Sequence, residues 1–261
     1  MKHISICISA YEMGGKGAQY LKRSFDMMCI QTFKDFDIVV SDQSKNTAIE
    51  DVCREYGDRL DIHYFKEDPR ATPSDNTNNA LKRATGKLIK ILFLDDYLYH
   101  SESLQHIVDN FDLAKDAWLI TACIHTKDGA NYFREFHPRF NGEKILEKNT
   151  VSAPSVVTIK NSPSIPLFDT NLIWWQDLDF YRALFNLYGN PKILGSVDIA
   201  IRVHENQMGN SSPTKRRETE YAYVLKKHKI RHKHALLLLY KAKRMKSFIK
   251  SCIVSIIGYT K

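Results

Sequence analysis

Two adjacent carboxylates that follow an apolar run are the residues best suited to chemistry in this chain. The run from Ile91 to Leu94 leads directly into Asp95 and Asp96. Burying an unpaired carboxylate is costly, so a strand ending in two acids is expected to end where charge is needed. In open α/β folds that place is the carboxyl edge of the sheet, where oxygen ligands favour Mg²⁺ or Mn²⁺, commonly with a diphosphate. The alternative is a loop whose acids cap a helix beginning near Ser101.

Alternating strand-like and helix-like segments would position these acids. Apolar runs predict strands at 4–10, 36–41, 60–65 and 88–94, and helical spacing predicts helices at 19–30, 49–56 and from Ser74 or Asp75 to Gly86. This alternation is typical of right-handed βαβ crossovers and a parallel sheet. Further on we predict helices at 104–114 and 174–188 and strands at 118–124 and 193–203, with no clear order between 125 and 166. The sequence therefore predicts a Rossmann-like α/β single domain over residues 1–212, with a mostly parallel central sheet.

The charge of the chain is divided between an acidic body and a basic tail. The net charge of the chain is +8. The residues from Pro213 onward carry 14 Lys and Arg against two acids, and the other 212 residues carry 24 Lys and Arg against 28 acids. The asymmetry predicts a polyanionic partner surface for the tail alone. Apolar residues at three- and four-residue spacing from Met245 to Ile257 predict a basic amphipathic helix on an anionic membrane surface. Packing of that helix on the body or in a dimer is the alternative.

Cysteine usage and glycine spacing exclude other classes of site. The five cysteines are scattered without a C-x-x-C pair, which indicates reduced thiols in the cytoplasm and argues against zinc or a disulfide framework. No cleavable signal precedes the first strand. Residues 14–17 lack the spacing of a phosphate-binding loop and predict a flexible loop. Five basic residues between Lys241 and Lys250 argue against a membrane-spanning helix there.

Four segments in order resemble family 2 glycosyltransferases of the GT-A fold, of the bacterial type that builds surface polysaccharides. They are residues 4–11, 31–44, 78–87 and the acidic turn after residue 94, and the resemblance covers roughly residues 3 to 210. It implies an inverting, metal-dependent hexosyltransferase that uses a nucleotide-diphosphate sugar, with UDP preferred, and Mn²⁺ or Mg²⁺. The implied acceptor is a saccharide or lipid-linked saccharide at the inner face of the cell membrane.

The resemblance also implies roles for individual residues of this chain. The implied donor contacts are Ala10, Tyr11, Glu12, Asp42, Asn78 and Asp95; the metal ligands are Asp96 and His204; and the catalytic base is Asp177. Three positions depart from the family pattern: Gln43 stands in the acidic turn, Phe93 at the first aspartate of D-x-D, and Thr77 at a frequent arginine. These departures leave dTDP and GDP open as donor nucleotides.

The chemistry of sugar transfer gives these residues complementary roles. A cation on Asp96 would neutralise charge on the leaving diphosphate. Asp177 on the opposite face would take the acceptor hydroxyl proton. A single base on the face opposite the leaving group implies a single displacement with inversion at C1.

Each of these residues also has a purely structural interpretation. Asp177 is also explained as a first-turn acid stabilised by the helix dipole, Asp42 as a helix cap, and His204 as a strand-end histidine. We predict a solvated or structural role for Asp179, and either sugar stacking or core packing for Trp174 and Trp175. For the whole chain, a non-catalytic glycosyltransferase-like scaffold or a polyanion-binding module acting through the tail is the alternative. No nucleic-acid partner is expected, because the acidic body offers no basic groove, and oligomeric state stays open.

Overall fold

The computed structural model of the chain describes residues 2–204 and 214–242. Contacts divide the chain into two compact units, Met1–Gln207 and Met208–Lys261, and each is described by itself. The amphipathic helix predicted between Met245 and Ile257 lies outside the described residues.

The first half of the larger unit alternates strands and helices as predicted. Its elements are β1 (Ile4–Ala10), α1 (Gly17–Cys29), β2 (Phe36–Asp42), α2 (Ala48–Tyr56), β3 (Ile62–Lys66), α3 (Pro73–Arg83) and β4 (Leu88–Phe93). All seven residues of β2 are buried, as are the first five of β4. Burial on both faces explains why these strands are nearly continuous apolar runs.

The second half of the unit is less regular. Its elements are β5 (Tyr97–Leu98), α4 (Ser103–Asn110), β6 (Trp118–Thr126), β7 (Tyr132–Phe136), β8 (Val157–Lys160), α5 (Gln176–Tyr188) and β9 (Lys192–Arg202). The strands β5, β7 and β8 were not predicted. They are two to five residues long, and strands this short show little of the alternation by which a strand is found.

One sheet joins all nine strands. The strand order is β3-β2-β1-β4-β8-β6-β9-β5, with β7 added beside β6. The first four strands are mutually parallel, and so are β6 and β9, whereas β8 runs antiparallel to both β4 and β6. Six of the nine strands therefore share one direction, because β5 and β7 are also antiparallel to their neighbours. The predicted α/β class with a mostly parallel sheet is confirmed.

The start and end of α3 differ from the prediction. Its N-cap is Thr72, whose Oγ1 accepts a hydrogen bond from the Asp75 amide at 3.1 Å, while the Asp75 carboxylate accepts one from the Thr72 amide at 3.0 Å. This capping box gives Asp75 the third position of the helix rather than the cap. The helix ends at Arg83, because Ala84 is extended with ψ 128°.

The glycine-rich segment, predicted as a loop, is a turn that leads into α1. Met13–Gly15 form a 3₁₀ turn and α1 begins at Gly17. A Cβ at Gly17 would collide with the carbonyl oxygen of Tyr11. Glycine is therefore required there, because it lets α1 begin against the loop that follows β1.

The second unit contributes helices from the predicted basic tail. Helix α6 spans Thr214–Lys227, and residues 233–242 are also helical. The Tyr221 and Tyr240 rings pack with centroids 4.9 Å apart, and Glu218 pairs with Lys241 at 3.7 Å. Across the described parts of the chain, no helix combines the length and apolarity needed to span a membrane.

Candidate active site

The carboxyl ends of β2, β1 and β4 bring most of the predicted donor residues to one edge of the sheet. The register pairs Ala10 with Asp42 and Ser9 with Phe93. The loop that follows Ala10 is therefore adjacent to the turn that follows Phe93. This is the edge at which open α/β sheets bind ligands.

Asp96 is a buried carboxylate held on both oxygens. Its side chain accepts a hydrogen bond from Ser155 Oγ at 2.6 Å and from the Arg202 amide at 3.0 Å. Burial raises the pKa of Asp96 well above its ordinary value, and the charge of Asp95 adds to the rise. These two hydrogen bonds fix the carboxylate orientation but do not cancel the repulsion from its neighbour.

His204 lies against Asp95. Its Nε2 is 3.0 Å from Asp95 Oδ2, and the two side chains are only 14% and 16% exposed. The ring of Tyr20 is 6.0 Å from the His204 ring, between centroids. Burial raises the pKa of the Tyr11 hydroxyl, and the charges of Asp95 and Glu12 raise it further. His204 is thus not an isolated strand-end histidine. Together with Asp95 and Asp96 it forms what we call the acidic edge.

The residues at this edge fit a divalent cation. Burial and the charge of Asp95 both raise the pKa of Asp96, so a positive charge beside the two carboxylates would be stabilised. Carboxylate oxygens with one imidazole suit Mn²⁺, and carboxylates alone suit Mg²⁺. Asp95, rather than the predicted ligand Asp96, is the carboxylate in direct contact with His204.

Asp42 is at the same edge, but its carboxylate is turned inward. It is fully buried and accepts hydrogen bonds from the Ser44 amide, the Tyr64 hydroxyl and Lys66 Nζ at 2.8, 2.8 and 2.9 Å. It does not cap α2, whose N-cap is Thr47. Through these bonds the Asp42 carboxylate holds β3 to β2.

Asn78 is engaged with the main chain across the unit. Its Nδ2 donates to the Phe168 carbonyl and its Oδ1 accepts from the Phe168 amide, both at 2.8 Å. Both polar groups of the side chain are therefore used in fixing the segment around Phe168.

Asp177 has the properties of a proton acceptor. It lies in the first turn of α5, and its Oδ1 is buried with no hydrogen-bond partner among the described residues. Burial raises its pKa to about 7. A stabilising helix dipole alone would lower the pKa, so burial dominates. A carboxyl with a pKa near neutrality and an unpaired oxygen is typical of a functional site.

Tyr181 connects Asp177 with the acidic edge. Its hydroxyl donates to the Ser152 carbonyl at 3.1 Å. Burial raises its pKa, and the charges of Asp177 and Asp96 raise it further. Both carboxylates therefore disfavour ionisation of the same hydroxyl.

Two of the structural predictions for the α5 region are now decided. Asp179 is fully buried, which agrees with the structural rather than the solvated alternative predicted for it. Trp175 is 5% exposed and belongs to the core, whereas Trp174 is partly exposed.

Three residues that support the acidic edge were not identified from the sequence. Ser155 lies in a 3₁₀ turn within the segment that showed no order, and it also accepts from the Phe93 amide at 2.9 Å. Lys90 is buried in β4 and donates to the Ser155 carbonyl, and burial lowers its pKa to about 7. Of the three, only Arg202 could have been found from the sequence, because it lies two positions before the predicted ligand His204.

The fold and the site together define a GT-A glycosyltransferase, and comparison with known proteins agrees. The chain belongs to glycosyl transferase family 2, whose sequence profile matches residues 5–162. An uncharacterized glycosyltransferase of Rickettsia typhi is 25% identical over 235 residues, covering 83% of this chain and 69% of the relative. Another, from Methanocaldococcus jannaschii, is 27% identical over 240 residues, covering 88% and 81%.

Solved structures confirm the GT-A fold. S. aureus TarS in complex with UDP-GlcNAc superposes with a TM-score of 0.70 at 18% identity, covering 91% of this chain and 70% of that one. Mannosyltransferase PcManGT from Pyrobaculum calidifontis, in complex with GDP-Man and Mn²⁺, gives a TM-score of 0.61 at 16% identity, covering 90% and 70%. At these identities the likeness establishes the fold alone.

Proposed function

We propose that this protein is an inverting, divalent-metal-dependent glycosyltransferase of the hexosyl type. It would move a sugar from a nucleotide-diphosphate donor to a saccharide or lipid-linked saccharide in the synthesis of a bacterial surface polysaccharide. The observation that carries the proposal is the pairing of an acidic edge with a separate base. Asp95, Asp96 and His204 form that edge, and Asp177 stands apart from it with an unpaired oxygen and a pKa of about 7.

The acidic edge would bind the donor diphosphate. Mn²⁺ or Mg²⁺ would be held by Asp95 and His204, with Asp96 joining once its side chain turns from Ser155 and Arg202. When bound, the ion would neutralise negative charge on the leaving diphosphate. Tyr11 and Glu12, in the loop beside these acids, would contact the nucleotide. The complexes of TarS with UDP-GlcNAc and of PcManGT with GDP-Man and Mn²⁺ support this arrangement.

Asp177 would act on the acceptor. A general base works best when its pKa lies near the operating pH, and burial gives Asp177 such a pKa. It would accept the proton of the attacking hydroxyl. With a single base on the face opposite the leaving group, the sugar would be transferred with inversion.

We propose UDP as the donor nucleotide on two grounds. They are the predicted contact of Asp42 with a uracil-type base and the TarS complex with UDP-GlcNAc. Because the Asp42 carboxylate is fully buried, a base contact would need Tyr64 or Lys66 to move aside. The other supporting complex contains GDP-Man, so the nucleotide is the first property to measure.

Calorimetric titration with UDP, dTDP and GDP, each with and without Mn²⁺, tests the donor site. We expect manganese-dependent binding of one nucleotide, with UDP the first candidate, and weaker or no binding after chelation by EDTA. Mg²⁺ in place of Mn²⁺ distinguishes the two cofactors. If no nucleotide binds under any condition, the chain is a glycosyltransferase-like scaffold instead.

We also propose that the basic tail, residues 213–261, attaches the enzyme to an anionic membrane at the inner face of the cell. The support is its 14 Lys and Arg against two acids and the exposure of Leu238 and Leu239, which are 68% and 56% accessible. Basic residues near an anionic surface contribute about 1 kcal/mol each. Apolar side chains beside them can enter the headgroup region.

Co-sedimentation of the full chain with lipid vesicles tests this attachment. We expect binding to phosphatidylglycerol vesicles at low salt, release at high salt, and little binding to phosphatidylcholine vesicles. Replacing Lys226, Lys229 and Arg231 by Gln should weaken binding by about 100-fold. Binding that is indifferent to lipid charge, or no binding at all, contradicts the proposal.

A further inference from the structure

We propose that His100, His106 and Asp198 form a second metal site, suited to Zn²⁺ or a similar transition metal and separate from the donor site. Among the described residues, this is the one place where three such ligand side chains converge. His100 follows β5, His106 lies on α4, and Asp198 is in β9. The antiparallel pairing of Leu98 with Ile199 brings these elements together.

The distances between the ligand atoms suit one small cation. Asp198 Oδ1 is 3.4 Å from His100 Nε2 and 2.9 Å from His106 Nδ1, and the three ligand atoms lie within 4.8 Å of one another. Tetrahedral zinc with bonds of about 2.0–2.1 Å places its ligand atoms about 3.3 Å apart. Small side-chain rotations would therefore bring all three atoms into coordination.

The carboxylate is already oriented toward the two imidazoles. Asp198 is fully buried, and its Oδ2 accepts a hydrogen bond from Ser196 Oγ at 2.5 Å. That bond leaves Oδ1 for both histidines, as outer hydrogen bonds do for metal-ligating carboxylates. The imidazoles are 34% and 38% exposed, so an ion has access from solvent and a water can complete the coordination.

The ligand types separate this site from the acidic edge near Asp95. Two imidazole nitrogens with one carboxylate favour zinc and neighbouring transition metals, whereas Mg²⁺ prefers oxygen ligands. On metal binding, the imidazole proton that faces Asp198 Oδ1 would move to the other ring nitrogen, because a ligating imidazole is neutral.

One contact must open when metal binds. The Glu102 amide donates to His100 Nδ1 at 3.2 Å, and coordination through Nε2 requires the proton on Nδ1. Glu102 is exposed, so water can accept the hydrogen bond of its amide instead. The site would then link β9, α4 and the turn between β5 and α4.

Spectroscopy with Co²⁺ as a zinc substitute tests the proposal on the full chain. We expect one tightly bound equivalent with the visible absorption of four-coordinate cobalt, lost in His100→Gln and in His106→Gln. The same band should persist in the double variant Asp95→Asn/His204→Gln, which removes the ligands of the donor site. Because His106 is outside the proposed catalytic machinery, donor binding with Mn²⁺ should be unchanged in His106→Gln.

A second readout is thermal stability. Zn²⁺ at 100-fold above its Kd should raise the melting temperature by roughly 5–10 °C in the wild type and by much less in either histidine variant. The variants should melt like the wild type in EDTA. The proposal is overturned if the histidine variants keep the cobalt band and the zinc-induced shift, or if only the Asp95→Asn/His204→Gln variant loses them. In that case the two imidazoles serve only as hydrogen-bond donors to Asp198.

Discussion

Asp177→Asn is expected to lower sugar transfer by about 10²–10⁴-fold while nucleotide binding stays unchanged. The amide has nearly the same shape as the carboxyl but cannot accept the acceptor hydroxyl proton. Turnover and the calorimetric Kd of the nucleotide are the two measurements, and Asp58→Asn, at an exposed site, is the control. A loss of donor affinity in Asp177→Asn would place this residue in the donor site instead.

The pKa of Asp177 also predicts how activity and stability depend on pH. Transfer should rise as pH passes through about 7, where Asp177 loses its proton. The same residue has an ordinary pKa of 3.8 when unfolded and about 7 when folded. Its stabilising contribution is therefore fully present below about pH 4 and is lost as pH rises through 7.

Asp177→Asn should consequently be more stable than the wild type at pH 8. The difference in unfolding free energy should grow between about pH 4 and 7 and reach at most about 4 kcal/mol. Urea unfolding of both proteins at several pH values measures it. A difference that does not vary with pH would mean that burial does not raise the pKa of the Asp177 carboxyl to about 7. Gained stability with lost activity is the usual exchange at a catalytic residue.

The second large effect concerns the proposed metal ligands. Asp95→Asn and His204→Gln should each weaken manganese-dependent nucleotide binding by about 100-fold or more. The physical reason is their 3.0 Å contact at the acidic edge, where either loss removes a ligand atom. Calorimetry with and without Mn²⁺ separates this loss from metal-independent binding.

Comparison of Asp96→Asn with Ser155→Ala decides the role of Asp96. If Asp96 binds the ion, its replacement should cost as much as that of Asp95, and Ser155→Ala should cost about 10–100-fold through lost orientation. Equal, small effects of both variants would show that Asp96 only supports the turn. The control is again Asp58→Asn, which should bind the nucleotide like the wild type.

Much of the fold follows from local pattern. The continuous apolar runs of β1, β2 and β4 and the helical spacing of α1 and α2 depend on neighbouring residues alone, so they were predicted within a few positions. The start of α3 was misplaced because Thr72, Ser74 and Asp75 can all act as caps, and only the backbone shows which does. The strands β7 and β8 were missed because they are only five and four residues long, and β8 also pairs with β4 and β6 across long connections.

The sequence by itself determined the α/β class, the acidic turn at the end of β4 and an acid at the start of α5. These are consequences of periodicity and of which residue types can end a buried strand. Only the tertiary structure decided what those acids contact. His204 is 109 positions from Asp95, and Ser155 is 59 positions from Asp96. Contacts over such separations depend on the course of the whole chain, which local propensity does not encode.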